Sequence, residues 1–84
     1  MKNSKEVLNQ ILNSTEQAAA IRRVLFFGMN QDAWLGCRRA VNALLDEAEQ
    51  LLEDNRDVIT DKDSFAARVA INRVLDIRIK DKFQ

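Results

Sequence analysis

The chain has no histidine, tyrosine or proline, and only two glycines and one cysteine among its 84 residues. Sheet proteins use glycine and proline in the turns between many short strands, so this scarcity favours long helices and few loops. The lone Cys37 cannot form a disulfide within the chain. Without histidine to share the metal, it does not suffice for a zinc site.

Long hydrophobic runs and an excess of charge of one sign are also missing. The sequence contains no run of about 18 apolar residues, the length needed to span a bilayer. The opening MKNSKEVLNQ is too polar for a signal peptide. We therefore expect a cytoplasmic protein without a membrane partner. The 13 basic and 13 acidic side chains give a formal net charge of zero, which indicates no bulk attraction to nucleic acid or anionic lipid.

What is present fits one small helical domain, residues 1–84. Hydrophobic residues make up 46% of the chain and charged residues 31%, an ordinary globular balance. A chain of this size buries only about 60–65% of its unfolded surface, so its core is limited. A partner subunit would enlarge that core.

Apolar spacing predicts a first helix that begins after Asn3 or Ser4 and carries two stripes. The second stripe lies about 100–140° around the helix from the first, so this helix needs two neighbours. A break at residues 13–15, with Ser14 capping a new helix, is the alternative to one continuous helix. The first stripe is Val7, Ile11, Ala18, Ile21 and Leu25, with Ser14 in its middle, and the second is Leu8, Leu12, Ala19 and Phe26.

The second helix follows a turn at residues 28–30 and has a heptad pattern. Gly28 fits the end of the first helix, and Asn30 fits the cap of the second. The second helix is predicted to end near Asp54 and Asn55. Its seam is Trp34, Cys37, Val41, Leu44, Ala48 and Leu51, widened by Leu45 and Leu52.

A polar connection, residues 53–63, leads to a third helix capped by Thr60, with Asp63 as an acidic variant of the capping box. The tail DIRIKDKF alternates like a strand but has no strand to pair with, so we interpret it as the end of this helix. The fold class predicted is all-α: a long antiparallel helical hairpin with a third C-terminal helix. The predicted core stripe of the third helix is Ala67, Ala70, Ile71, Val74 and Leu75.

Three helices of one chain cannot bury all of its apolar side chains. The first helix has two stripes, and Phe65, Val69 and Phe83 lie away from the core stripe of the third helix. We therefore predict a homo-oligomer, most simply a dimer, because permanent interfaces resemble a domain core cut in half. Charge is segregated, with a net +3 over residues 1–42, −6 over residues 46–63 and +3 over residues 64–84.

The catalytic inventory is thin, so neither an enzymatic activity nor a cofactor is predicted. Cys37 lies on the seam of the second helix and has no histidine base to activate it, which favours a buried structural role. The carboxylates of residues 46–54 fall off the apolar stripe. They are better interpreted as a solvated face than as metal ligands.

Two arginine pairs flank the turn, and an antiparallel hairpin would gather them at one end. Their planar forks suit phosphates and carboxylates, which would allow a small anionic ligand such as a nucleotide, a nucleic acid or an acidic partner surface. Pairing with Glu16, Asp32, Asp46 or the acidic connection, or simple solvation, is the favoured alternative. The candidate anion-binding residues are Arg22, Arg23, Arg38 and Arg39.

The segment FFGMNQDAW, residues 26–34, holds three of the five aromatic residues. Phe26 and Trp34 fall on apolar stripes and are predicted to be core. Phe27, Met29 and Leu35 are left unburied by the hairpin alone. Phe27 and Leu35 each lie four residues from an arginine, and Met29 lies in the turn itself. The alternative for Phe27 is burial under the third helix or a second subunit. The predicted partner-binding residues are Phe27, Met29, Leu35, Arg23 and Arg39.

These observations favour a non-enzymatic interaction or regulatory protein that acts by binding a macromolecular partner as a homo-oligomer. A nucleic-acid-binding regulator and a binder of a small anionic ligand are the alternatives. A helix-turn-helix is disfavoured, because that motif joins short helices by a tight turn whereas these helices have some twenty residues.

Overall fold

The computed structural model of the chain describes residues 3–24 and 31–76. These residues form three helices in chain order: α1 (Ser4–Val24), α2 (Gln31–Asp54) and α3 (Asp61–Asp76). They contain no strand, so the predicted all-α class is confirmed for this part of the chain. No helix within these ranges is long and apolar enough to cross a membrane. The predicted turn at residues 28–30 and the tail after Asp76 lie outside the described residues.

An asparagine cap begins α1. The Oδ1 atom of Asn3 accepts a hydrogen bond from the backbone N–H of Glu6 at 2.9 Å, which satisfies one of the free donors at the helix start. The helix then continues past residues 13–15, so the alternative of a new helix capped by Ser14 is wrong. The hydroxyl of Thr15 donates to the carbonyl of Leu12 at 2.9 Å, an internal bond that does not end the helix.

Most described residues of the two predicted α1 stripes are buried within one chain. α1 packs against α2 and against α3, whereas α2 and α3 contact each other along fewer residues. Val7, Ile11 and Ala18 of the first stripe are fully buried, and Leu8 and Ala19 of the second are nearly so. Ile21 and Leu12 are half-buried, and Leu25 and Phe26 lie outside the described residues. Two neighbours for α1 are therefore present in the chain itself.

The buried face of α2 is rotated from the predicted seam. Leu44 and Leu51, predicted as seam residues, are only half-buried, and Leu45 and Leu52, predicted to widen the seam, are buried. The face centres on the latter pair because it must meet α1 and α3 together. The buried residues of α2 are Trp34, Val41, Leu45, Ala48 and Leu52.

Asn55 ends α2 as predicted. Its backbone N–H and its side-chain amide both donate to the carbonyl of Leu51, at 3.2 and 2.8 Å. Its own carbonyl then accepts from the N–H groups of Val58 and Ile59, both at 2.9 Å. This compact turn buries Ile59 in the core and leaves Val58 exposed.

The third helix has a narrower core face than predicted. Asp63, Ala67, Ile71 and Val74 are its buried residues. Leu75 was predicted to join them, but this is wrong, because it is 51% exposed. Leu75 lies about 100° around the helix from Val74, off the buried face of α3. Ala70, also predicted for this face, is half-buried.

Contacts at both ends show how the helices run. Ser4 of α1 bonds to Asp63 near the start of α3, and Arg22 near the end of α1 bonds to the carbonyl of Leu75 near the end of α3. α1 and α3 therefore run in the same direction. The first half of α1 and the second half of α2 share a shallow groove, lined by residues that include Gln10 and Leu51. That pairing is compatible with the predicted antiparallel arrangement of α1 and α2.

Candidate interaction surface

One exposed face of α2 changes the sign of its charge along its length. Six residues at spacings of four, three, four, three and four lie within about 80° of one another around the helix. All six are exposed. A cation lies near the start of this face and three carboxylates lie near its end. We call this face the outer α2 stripe: Leu35, Arg39, Asn42, Asp46, Glu49 and Glu53.

A groove of about 610 Å³ separates α2 from α3 beside the outer α2 stripe. Its most deeply placed residues are Leu52 and Ile71, which are almost fully buried. The wall formed by α2 is acidic and the wall formed by α3 carries one guanidinium. We call it the α2–α3 groove, and its lining is Asp46, Glu49, Gln50, Leu52, Glu53, Arg68, Ile71 and Asn72.

The far wall of this groove belongs to an exposed row of α3. We call it the outer α3 row: Phe65, Arg68, Asn72 and Leu75, at spacings of three, four and three. Phe65 is 71% exposed, which confirms that it lies away from the core, whereas Val69 is half-buried. Large apolar side chains therefore lie at both ends of the row, with polar ones between them.

Few charges near the α2–α3 groove are neutralised inside the chain. Glu53 pairs with Arg56 at 3.2 Å. Within residues 3–24 and 31–76, Asp46, Glu49 and Arg68 form no ion pair. No group of three or more carboxylate or cysteine side chains in the described part of the chain could hold a metal ion. The carboxylates on this wall are thus exposed charges.

The four predicted anion-binding arginines divide into two kinds. Arg22 donates to the carbonyl of Leu75 at 3.4 Å, at the end of α3 where the helix dipole favours a cation. Arg38 lies over the ring of Trp34, 4.9 Å from its centroid. Both therefore already contact the protein, the second through a cation–π interaction.

Arg23 and Arg39 are exposed and form no ion pair with any residue that the structure describes. The predicted alternative, pairing with Glu16, Asp32 or Asp46, is therefore not seen for these two. Solvation remains as the alternative to a binding role.

The partner-binding residues predicted at the turn are only partly described. Leu35 is 41% exposed and shares the outer α2 stripe with Arg39. Phe27 and Met29, and with them the question of whether Phe27 is core, lie outside the described residues. Trp34 is 8% exposed, so its predicted burial is confirmed. Cys37 is half-buried rather than buried, because it lies beside the rotated core face of α2.

A cluster that the sequence did not indicate joins the starts of α1 and α3. The hydroxyl oxygen of Ser4 accepts from the N–H of Thr60 at 2.9 Å and donates to Oδ2 of Asp63 at 2.6 Å. The Nζ atom of Lys5 lies 3.1 Å from Oδ1 of the same carboxylate. Thr60 caps α3 as predicted, accepting from the N–H of Asp63 at 3.2 Å. The N–H of Thr60 donates to Ser4 of another helix and not to Asp63, so Asp63 does not complete the predicted capping box.

Asp63 is 4% exposed, so its charge needs partners. The hydrogen bond from Ser4, followed by that from Lys5, lowers the pKa of Asp63 below its ordinary value. The cluster fastens α3 to α1, and both carboxylate oxygens of Asp63 have partners within it. We therefore assign it a structural role.

Comparisons with protein-family models, curated proteins and solved structures gave no match for this chain.

Proposed function

We propose that this chain is a non-enzymatic protein that acts by binding a macromolecular partner, and that it does so as a homodimer. The observation that carries the proposal is the placement of its exposed large apolar side chains. Of the four exposed large apolar side chains in the described residues, Leu35, Phe65 and Leu75 lie on the outer α2 stripe or the outer α3 row. The fourth, Val58, lies in the turn between α2 and α3. Apolar residues gathered among charged ones are typical of interaction surfaces.

The finer proposal places foreign-partner binding at the turn end of an antiparallel α1–α2 hairpin. Two observations support it: Leu35 is exposed, and Arg23 and Arg39 are cations without ion pairs in the described residues. Phe27 and Met29, by their position in the sequence, would add apolar contact area. A partner with an acidic, apolar surface fits this composition.

Nucleic acid and small anions are less well supported as ligands. Two of the four candidate guanidiniums already contact Leu75 and Trp34, which reduces the cluster that an anion would meet. Binding of nucleic acid would appear as a steep loss of affinity with salt. Binding of a nucleotide would raise the melting temperature as ligand is added.

The proposal is tested by capture of partners from the native host with the immobilised full chain. The variant Arg23→Ser/Leu35→Ser should lose a specifically captured protein. The matched control Lys62→Ser/Val58→Ser also removes one exposed cation and one apolar side chain, 39% exposed in Val58 against 41% in Leu35. It should keep the captured protein.

Two outcomes would contradict the proposal. If wild type retains no protein above a blank support, the chain is not a binder of that kind. If both double variants retain the protein equally well, the turn end is not the contact surface. Light scattering of the wild type at micromolar concentration tests the homodimer separately, since a 9.6 kDa particle would exclude it.

A further inference from the structure

We propose that the outer α2 stripe is the contact surface between two copies of this chain, packed antiparallel about a twofold axis. In this arrangement, α2 of each copy lies along the α2–α3 groove of the other. The inference rests on the homodimer part of the proposed function and names its surface. It moves Leu35 and Arg39 from the foreign-partner surface to the contact between copies, and Arg23 is the described residue that stays on the foreign-partner surface alone.

The change of charge along the stripe favours this geometry. Arg39 lies in its first third, and Asp46, Glu49 and Glu53 lie in the remainder. A parallel second copy would set like charges side by side, whereas an antiparallel copy sets the basic part against the acidic part. A twofold interface must be complementary to itself. The charges of this stripe match those of a second copy only when the two helices run antiparallel.

The register follows from full overlap of the two stripes. Arg39 then faces Glu49 of the second copy, and the amide of Asn42 faces the carboxylate of Asp46 of the second copy. Leu35 lies against the aliphatic part of Glu53. A shift of one heptad in one direction sets Asp46 against Glu49, which repel, and a shift in the other leaves Glu49 and Glu53 without a partner.

The outer α2 stripe is mostly polar, so the apolar contact area of the interface would come from residues around the α2–α3 groove. A helix laid in the α2–α3 groove would cover the remaining exposed surface of Leu52 and Ile71, and would approach Phe65 and Leu75 on the outer α3 row. From Leu35 to Glu53 the stripe extends over about 27 Å of helix. Charge pairs would fix orientation and register, while the apolar rim would contribute affinity.

The side chains that the contact needs are available in the single chain. Arg39, Asn42, Asp46 and Glu49 are exposed. Arg39, Asp46 and Glu49 form no ion pair among the described residues. Dimerisation would therefore break no salt bridge of theirs, and substitutions at Arg39 or Glu49 should leave the fold intact.

Charge exchange between Arg39 and Glu49 tests the contact. In a twofold dimer each pair occurs twice, so Arg39→Glu alone, or Glu49→Arg alone, turns two attractive pairs into two repulsive ones. We expect each single variant to raise the dimer dissociation constant about tenfold or more. An equimolar mixture of the two single variants should form a heterodimer of near wild-type affinity, because every cross-copy pair is again complementary. The double variant should recover homodimerisation.

The dissociation constants are measured by analytical ultracentrifugation of the full chain, with circular dichroism to verify helix content. The matched controls are Lys62→Glu and Glu16→Arg, which make the same changes of charge at exposed positions away from the outer α2 stripe and the outer α3 row. They should leave the dimer unchanged. If a charge-reversed chain loses helix content, Arg39→Gln and Glu49→Gln replace it, with a smaller weakening expected for each.

Three results would overturn the inference. If the dimer is insensitive to Arg39→Glu and Glu49→Arg, the copies meet elsewhere, and the homodimer proposal stands without this surface. If the single variants dissociate but their mixture does not recover, the effect is not a pairing across the twofold. If wild type is a monomer, the homodimer falls together with this inference, while the capture experiment still decides foreign-partner binding.

Discussion

Ser4→Ala is the substitution that best tests how the three helices are held together. The hydroxyl of Ser4 lies at the start of α1, yet it bonds to two groups at the start of α3. It accepts from the N–H of Thr60 at 2.9 Å and donates to Asp63 at 2.6 Å. Alanine preserves the helix and removes only these bonds.

The expected loss in the free energy of unfolding depends on the groups that lose a hydrogen-bond partner. The N–H of Thr60 loses its protein acceptor, but Thr60 is exposed, so water can replace the hydroxyl. Asp63 retains the ammonium of Lys5 at 3.1 Å. Loss of a helix cap or of one hydrogen bond typically costs about 1 kcal/mol, so the two together should cost about 1–2 kcal/mol. For a domain of this size, that corresponds to about 4–16 °C in melting temperature.

The assay is urea unfolding and thermal melting followed by circular dichroism at pH 7. Ser64→Ala is the matched control, because Ser64 is half-buried in the first turns of α3 and its hydroxyl makes no hydrogen bond within the described residues. It should stay within about 0.5 kcal/mol of wild type, and Ser4→Thr should recover part of the loss. A Ser4→Ala variant as stable as wild type would refute the role of this hydroxyl.

Three further predictions concern single side chains. The charged form of Asp63 contributes stability that is fully present above the unfolded-state pKa of about 3.9 and is lost as pH falls through its lowered native pKa. Thermal melting between pH 7 and 2 should therefore show a flatter profile for Asp63→Asn than for wild type or the control Asp61→Asn, and identical profiles would contradict this. Ser14→Ala should raise the free energy of unfolding, measured by urea denaturation, by about 0.5 kcal/mol, because Ser14 is buried mid-helix without a side-chain hydrogen bond in the described residues. A decrease of the same size would contradict this prediction. Phe27→Ala should weaken partner binding by about 1–4 kcal/mol with little change in melting temperature, whereas a stability loss of about 3–5 kcal/mol would make Phe27 core.

Local interactions made the helices predictable. The caps Asn3 and Thr60 and the terminator Asn55 act within four residues of themselves, so their roles can be inferred from sequence alone. The apolar period of α1 likewise showed that it needs two neighbours. The sequence did not show which neighbours these are, and the structure provides α2 and α3 of the same chain.

The arrangement between helices was less predictable. Ser4 and Asp63 are 59 residues apart, and no local pattern marks a hydroxyl as the acceptor for another helix's cap. The buried face of α3 depends on how this helix is rotated about its axis relative to α1. The predicted rotation differed slightly from the observed one, so Leu75 was assigned to the core although it is exposed. The α2–α3 groove depends on how far these two helices diverge, which composition and periodicity do not specify.

The exposed part of the candidate site was more accessible to prediction. Leu35, Arg23 and Arg39 fall off the apolar stripes, and side chains there have no helix of the same chain to cover them. The division of the arginines could not be foreseen in the same way. Which of Arg22 and Arg23 donates a hydrogen bond to a carbonyl of α3 depends on where the end of α3 lies, and the sequence around the arginines does not specify that position.

Charge segregation along the chain contributes little to holding the helices together. Among the described residues, Lys5 with Asp63 joins the basic first part to the acidic part, and Arg56 with Glu53 lies within the acidic part. Asp46 and Glu49, near the start of the acidic part, pair with no described residue. Packing of apolar stripes and a few caps therefore hold the helices, and much of the segregated charge stays on the surface. A chain whose net charge is zero but whose surface charge is divided is attracted to molecules divided in the opposite sense, and an inverted second copy is one such molecule.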